Sequence, residues 1–362
     1  MFTSDRGGRY GSLSAYVEPV GAGDAFAGGY LYGPLLELTE VARLRLGHLV
    51  AATALGRDRE VGPLPAMDAA QSRIERHRRF RMTRQGANAT GSVDTTRILL
   101  TGAAGRVGTQ LRPLAAREGR TLRLLDITTP PAIEGSGAEE TVIASLTDAE
   151  ALLEACRGVS AIVHLGGQSV ESTLDDVLDR NVRGTLNLLE AARLAGVPRV
   201  VLASSTHAVG FHQYDGTPVA ADAPARPDTL YGWSKAAIES AGRLYHDRFG
   251  MDIICLRIGS WFPMPNGMRG LSTWLSPADG HRLVEACLSC REPGYRIVWG
   301  VSRNTRGWVS LAEGEAIGYH PLDDAEQFAP EVIAQYGTPD PADLIAARLG
   351  GAWCANPMGQ AW

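Results

Sequence analysis

Residues 97–108 read Arg97-Ile98-Leu99-Leu100-Thr101-Gly102-Ala103-Ala104-Gly105-Arg106-Val107-Gly108. A short apolar run passes through three glycines into a helical pattern that continues to residue 117. Strand, glycine turn and helix in that order place the unpaired N–H groups of the first helical turn at the loop. Gly102 permits the tight turn, Gly105 lets the backbone approach a pyrophosphate, and Gly108 lets the helix pack closely on the strand. The phosphates would then sit at the positive end of the helix dipole. Asp126 closes the next apolar run, eighteen residues after Gly108. A carboxylate there accepts hydrogen bonds from ribose hydroxyls and repels a 2′-phosphate, which favours NAD over NADP.

Working outward, further apolar runs at 122–126, 141–144, 161–164, 200–203 and 253–257 alternate with helical patterns at 106–117, 148–156, 174–195 and 231–249. Buried strands separated by amphipathic helices imply an α/β fold, a doubly wound parallel sheet covered on both faces. Beyond 260 the chain loosens into Pro- and Gly-rich loops, where a small C-terminal substrate-capping region is expected. Towards the N-terminus, six arginines fall between Arg73 and Arg84, followed by a Gly-, Ala-, Asn-, Ser- and Thr-rich stretch. We read an exposed basic helix and then a linker. The expected organisation is residues 1–81, a linker at 82–96, and a dinucleotide-binding domain at 97–362.

Composition narrows the function classes. Of 362 residues, 44% are hydrophobic and 21% charged, enough to build a core and to exclude wholesale disorder. The formal net charge of -5 argues against a general nucleic-acid partner. No apolar run approaches the ~18 residues of a membrane span, and the N-terminus has no signal-peptide pattern. Five scattered cysteines suit a reducing, cytoplasmic setting. Cys287 and Cys290 form a lone CxxC with no second pair, so no metal is expected.

Tyr231-Gly232-Trp233-Ser234-Lys235 sets a phenol and an ammonium one helical turn apart, on one face. A nearby cation favours phenolate and moves a poor base, with an ordinary pKa of ~10, towards a useful range. Of 35 basic residues, Lys235 is the single lysine. A chain that elsewhere uses arginine keeps here a compact point charge on a flexible stem. Ser204 and Ser205 end a strand just upstream, where a hydroxyl could meet a reacting oxygen.

Residues 97–358 resemble the extended short-chain dehydrogenase/reductase superfamily, and within it the uronate dehydrogenases. The resemblance is carried by TRILLTGAAGRVG, IVHLGGQSVE, NVRGTLNLLEAAR, VLASSTHAVGF, PARPDTLYGWSK, LRIGSWFPMPN, RGLSTWLS and LGGAWCANP. It implies a Rossmann-type sheet and NAD-dependent oxidation of D-glucuronate or D-galacturonate at C1, giving an aldarolactone. By position, Tyr231 would be the base, Lys235 its tuner and a ribose contact, and Ser205 their partner. Ser169, Ser205, Thr206, His207, Ser260 and Arg269 would line the sugar, with Arg269 suited to a carboxylate. Gly102, Gly105, Arg106, Val107, Gly108, Asp126, Ser145, Leu146, Leu165, Gly166, Gly167 and Trp261 would hold NAD. Thr206 stands where the family usually has Asn, and Ser145 where it commonly has Asp. The superfamily also implies a homo-oligomer, with neither nucleic acid nor membrane as a partner.

Val20-Gly21-Ala22-Gly23-Asp24-Ala25-Phe26 resembles the C-terminal end of ribokinase-type sugar kinases, closest to 2-keto-3-deoxygluconate kinases, over roughly residues 15–70. There the glycine amides would hold an anion and Asp24 would be the base. The sugar-binding part of such a kinase is missing, so a poorly packed remnant is expected, with Met82 as a candidate start of a complete dehydrogenase. Alternatives to a uronate dehydrogenase are a nucleotide-sugar epimerase or dehydratase, a non-catalytic NAD-binding protein, and a sugar kinase acting through Asp24.

Overall fold

The computed structural model describes residues 96–338, 343 and 345–361. The readings for residues 1–81, Asp24 included, and for the linker up to residue 95 lie outside the described residues. The chain runs β1 (Arg97–Thr101), α1 (Arg106–Ala115), β2 (Thr121–Asp126), β3 (Ala138–Ile143), α2 (Ala149–Cys156) and β4 (Ala161–His164). It continues through α3 (Leu174–Val177), a π-helical segment (Leu178–Arg183), α4 (Gly184–Ala195), β5 (Arg199–Ser205), α5 (Leu230–Phe249) and β6 (Asp252–Ile258). There follow β7 (Ser260–Trp261), α6 (Gly270–Thr273), β8 (Trp274–Leu275), α7 (Pro277–Ser289) and β9 (Tyr295–Gly300).

Seven parallel strands form one sheet in the order β3-β2-β1-β4-β5-β6-β9, and β7 pairs with β8 apart from it. Strand order reverses beside β1, where the crevice at the carboxyl ends of the strands is expected to take a ligand. The period of two along β1 shows how both faces are covered. Leu99 packs with Leu152, Leu188 and Ile253 on one face. Its neighbours Ile98 and Leu100 pack with Leu111, Val284 and Leu288 on the other. Burying one such leucine contributes about 1.5–3 kcal/mol.

Three elements differ from expectation. β3 starts three residues before the 141–144 run, because this edge strand is held by Glu139 and Glu140, which pair with Arg112 and Arg123, rather than by apolar side chains. The 174–195 helix is interrupted by the π segment, which turns Asn181 inward. β9 has only a half-apolar pattern and is recruited by pairing with the buried β6.

Candidate active site

Residues at the carboxyl ends of β1, β2, β4, β5 and β6 line a cleft of about 1490 Å³. Gly102 has φ +69°, and a Cβ there would come within 2.7 Å of the Gly166 amide nitrogen. A Cβ on Gly108 would overlap the Gly102 carbonyl. Two backbone loops therefore approach each other as only glycine allows. Gly105 caps α1 without a side-chain bond, and the first turn carries no acid, so its N–H groups are left for an anion. Asp126 ties itself to this loop, accepting from Ala104 N at 2.9 Å and Ile127 N at 2.8 Å. These features fit a dinucleotide.

Gly102, Gly105, Arg106, Val107, Gly108, Asp126, Ser145, Leu146, Leu165, Gly166, Gly167 and Trp261 all line the cleft, as do Ser169, Ser205, His207, Tyr231, Lys235, Ser260 and Arg269. Thr206 does not. It is buried, and its hydroxyl accepts from Arg269 Nη2 at 2.8 Å. The expected place in the lining is not observed; the hydroxyl braces the arginine instead. Ser204 does line the cleft, but its hydroxyl donates to Glu239 at 2.5 Å.

Tyr231 and Lys235 lie on the same face of α5, with Nζ 5.5 Å from the ring centroid. Lys235 donates to the Ala203 carbonyl at 2.8 Å, its single hydrogen bond among the described residues, which leaves two ammonium protons for a ligand. The expected acidification of the phenol is reversed in this state. Burial pushes Tyr231 up to about 12; the Ser205 hydrogen bond lowers it, the Asp228 charge adds to the rise, and Arg106 lowers it. Burial likewise pulls Lys235 down to about 8, against the pull of Glu239. Desolvation outweighs the pairing because both groups lie within the protein wall.

Arg269 is the exceptional cation. The most buried arginines, Arg112, Arg120, Arg199 and Arg257, each meet a carboxylate. Arg269 meets none among the described residues: it donates to the Leu349 carbonyl and the Thr206 hydroxyl, leaving Nη1 without a partner there. Burial holds its pKa down to about 10, with the Asp228 charge opposing.

Several contributors escape sequence reasoning. Glu171 accepts from Tyr231 N at 2.8 Å and Gly359 N at 2.7 Å, joining the start of α5 to the C-terminal segment. Asn181 binds Gln168 N at 2.7 Å and Ser234 Oγ at 2.8 Å, fixing the β4 loop to α5. Trp353 stacks on His207 with centroids 3.9 Å apart, and Phe262 lies 3.8 Å under the Arg106 guanidinium. Each is remote in sequence from what it touches. Cys287 and Cys290 are free, and no group of metal-ligating side chains occurs among the described residues.

Glycine cradle, ribose-side acid and the Tyr231–Lys235 face define a nicotinamide-dinucleotide enzyme class, and residues 98–310 match the NAD dependent epimerase/dehydratase family, to which the chain belongs. Within it, the chain is 40% identical over 262 residues to the uronate dehydrogenase of Agrobacterium fabrum, covering 72% of this chain and 98% of that relative. A crystal structure of glucuronic acid dehydrogenase from Chromohalobacter salexigens superposes with a TM-score of 0.69 at 38% identity, covering 73% of this chain and 98% of that one. A mutant uronate dehydrogenase from Agrobacterium tumefaciens complexed with NAD gives 0.65 at 38% identity, covering 73% and 99%.

Proposed function

We propose that the chain is an NAD-dependent uronate dehydrogenase that oxidises D-glucuronate or D-galacturonate at C1 to the aldarolactone. The observation that carries this reading is Arg269, a half-buried guanidinium that makes no ion-pair contact among the described residues, in the cleft that also holds Tyr231. A cation held without a carboxylate partner costs free energy that an anionic ligand recovers, and a uronate carboxylate matches its fork. Glycine loop, Asp126 and the two open protons of Lys235 would hold NAD, with the 165–169 loop and Trp261 beside it. NAD when bound supplies a cationic hydride acceptor next to the phenol. That added positive charge, with the Lys235 ammonium, would favour the phenolate, and as phenolate Tyr231 would take the O1 proton as the C1 hydrogen departs with its electron pair, leaving a C1 carbonyl within the ring, the lactone. Ser205, whose hydrogen bond to the phenol favours the phenolate, would help hold the reacting oxygen. Ser169, His207 and Ser260 line the sugar.

The test is initial-rate NADH formation across hexuronates, neutral hexoses and nucleotide sugars. Turnover confined to hexuronates is expected, and turnover confined to nucleotide sugars would favour an epimerase-like activity instead. Tyr231→Phe is expected to abolish turnover while NAD still binds.

The domain division at 81 and 96 belongs to this proposal, as does a kinase-like remnant at residues 1–81 that phosphorylates nothing. Exposed Leu186 and Leu194 on α4, with Trp233 and Leu244 on α5, support a homo-oligomer formed through these helices. Five free cysteines support a cytoplasmic setting. No helix among the described residues is long and apolar enough to cross a membrane.

A further inference from the structure

Asp228 directly precedes Thr229, the residue that caps α5, and its side chain is completely buried. It occupies a socket walled by glycines. A Cβ on Gly210 or Gly350 would overlap Oδ2, and one on Gly232 would lie 2.8 Å from Oδ1. Such a carboxylate is not needed to cap the helix, because the Thr229 hydroxyl already accepts from Gly232 N at 3.0 Å. Nor does shape alone require it, since an asparagine would fill the socket without the several kcal/mol that burying a charge costs.

Inside the socket the carboxylate meets two groups. Thr229 Oγ1 donates to Oδ1 at 3.0 Å, and His207 Nδ1 lies 2.6 Å from Oδ2. An ionised carboxylate only accepts, so against one the imidazole proton would sit on Nδ1 and leave Nε2 its lone pair. The ring cannot readily turn over: Trp353 stacks on it, and Tyr231 meets it edge-on with centroids 5.9 Å apart. Burial keeps His207 below its ordinary range, opposed by its hydrogen bond and charge attraction to Asp228, with Arg269 lowering and Glu171 raising further. Burial thus favours the neutral ring at the cleft.

We propose that Asp228 is a positioning residue that fixes His207 as a hydrogen-bond acceptor for one hydroxyl of the sugar, leaving the carboxylate to Arg269. The proposal rests on the uronate reading above. A lone pair backed by a buried carboxylate repels a carboxylate and welcomes a hydroxyl, whereas the unpaired guanidinium does the opposite. Two subsites of opposite preference in the cleft that holds Tyr231 would admit the sugar in one orientation, with C1 at the phenol. Asp228 touches neither sugar nor NAD and acts through the imidazole.

The experiment uses the full chain labelled with ¹⁵N-histidine, His207 being assigned by difference from His207→Gln. The ¹⁵N shifts are expected to report an Nδ1–H tautomer, moving towards Nε2–H in Asp228→Asn, whose amide can donate to Nδ1. In steady state, Asp228→Asn is expected to raise KM for the hexuronate roughly tenfold, the scale of one hydrogen bond, with KM for NAD within about twofold. Combined with His207→Gln it should add little, because both changes remove the same contact. An Nε2–H or cationic ring in the unmodified chain overturns the proposal even if Asp228→Asn fails to fold. So does an unchanged hexuronate KM, or a fully additive double variant. No NADH from the unmodified chain with any hexuronate would overturn the uronate reading and the sugar contact with it, while the tautomer would still decide the histidine–carboxylate arrangement.

Discussion

Replacing the chain's lysine should make the protein more stable while destroying its activity. Lys235 is buried, and its pKa falls from 10.5 to about 8. Below pH 8 the folded and unfolded states both carry the proton, and the folded state bears the full cost of enclosing it, on the order of 3 kcal/mol. Between 8 and 10.5 the folded lysine sheds its proton while the unfolded one keeps it, so stability rises with pH and the cost fades to about 1 kcal/mol at pH 9.5. Lys235→Met keeps the stem's packing and removes the charge. It also leaves the Ala203 carbonyl without its 2.8 Å partner, a loss of about 1 kcal/mol. The variant is therefore expected to gain about 2 kcal/mol at pH 7 and close to nothing at pH 9.5. Urea melts followed by tryptophan fluorescence at the two pH values measure the difference. A variant less stable than its parent at pH 7, or a stability difference indifferent to pH, would refute the reasoning. Loss of NADH formation in the same variant would show that the charge is kept for function at the expense of stability.

Further outcomes can be checked directly. Gly102→Ala forces a Cβ onto φ +69° and against the Gly166 amide, so a loss of about 2 kcal/mol or more in urea melts and weaker NAD binding by titration are expected. Asp126→Ser removes the carboxylate that meets the glycine loop through Ala104; KM for NAD should rise roughly tenfold and NADP should become usable, and an unchanged cofactor ratio would count against the ribose role. Arg269→Gln should lower hexuronate kcat/KM by about 100-fold, the scale of a charge-assisted pair, while any slow rate on neutral aldoses moves less than about threefold. A chain of residues 82–362 should oxidise hexuronates at rates within about twofold of the full chain if residues 1–81 take no part.

The glycine loop, Asp126, the Tyr231–Lys235 pair and the strand–helix alternation were legible because each is local: a turn that needs φ above zero, a side-chain pair at helical spacing, a period of two or 3.6. The partner of Thr206 was not legible for the complementary reason. Its neighbours in sequence suggest the cleft, yet its hydroxyl accepts from an arginine sixty-three residues away. Glu171 and Asp228 were invisible as ordinary acids. Only when Gly359 reaches α5, or Gly210 and Gly350 close around Oδ2, does either become a buried carboxylate with work to do. The direction of the Tyr231 and Lys235 shifts had the same origin, since spacing conveys that two charges are close but not how little water surrounds them.

Sequence by itself thus determined the sheet, the dinucleotide crevice and the shared face of Tyr231 and Lys235, because short-range sterics and periodicity set them. Tertiary structure alone decided which buried cation makes no ion pair among the described residues, which carboxylate a histidine meets and which hydroxyls face the cleft. Burial and pairing depend on segments that meet only after the chain has folded.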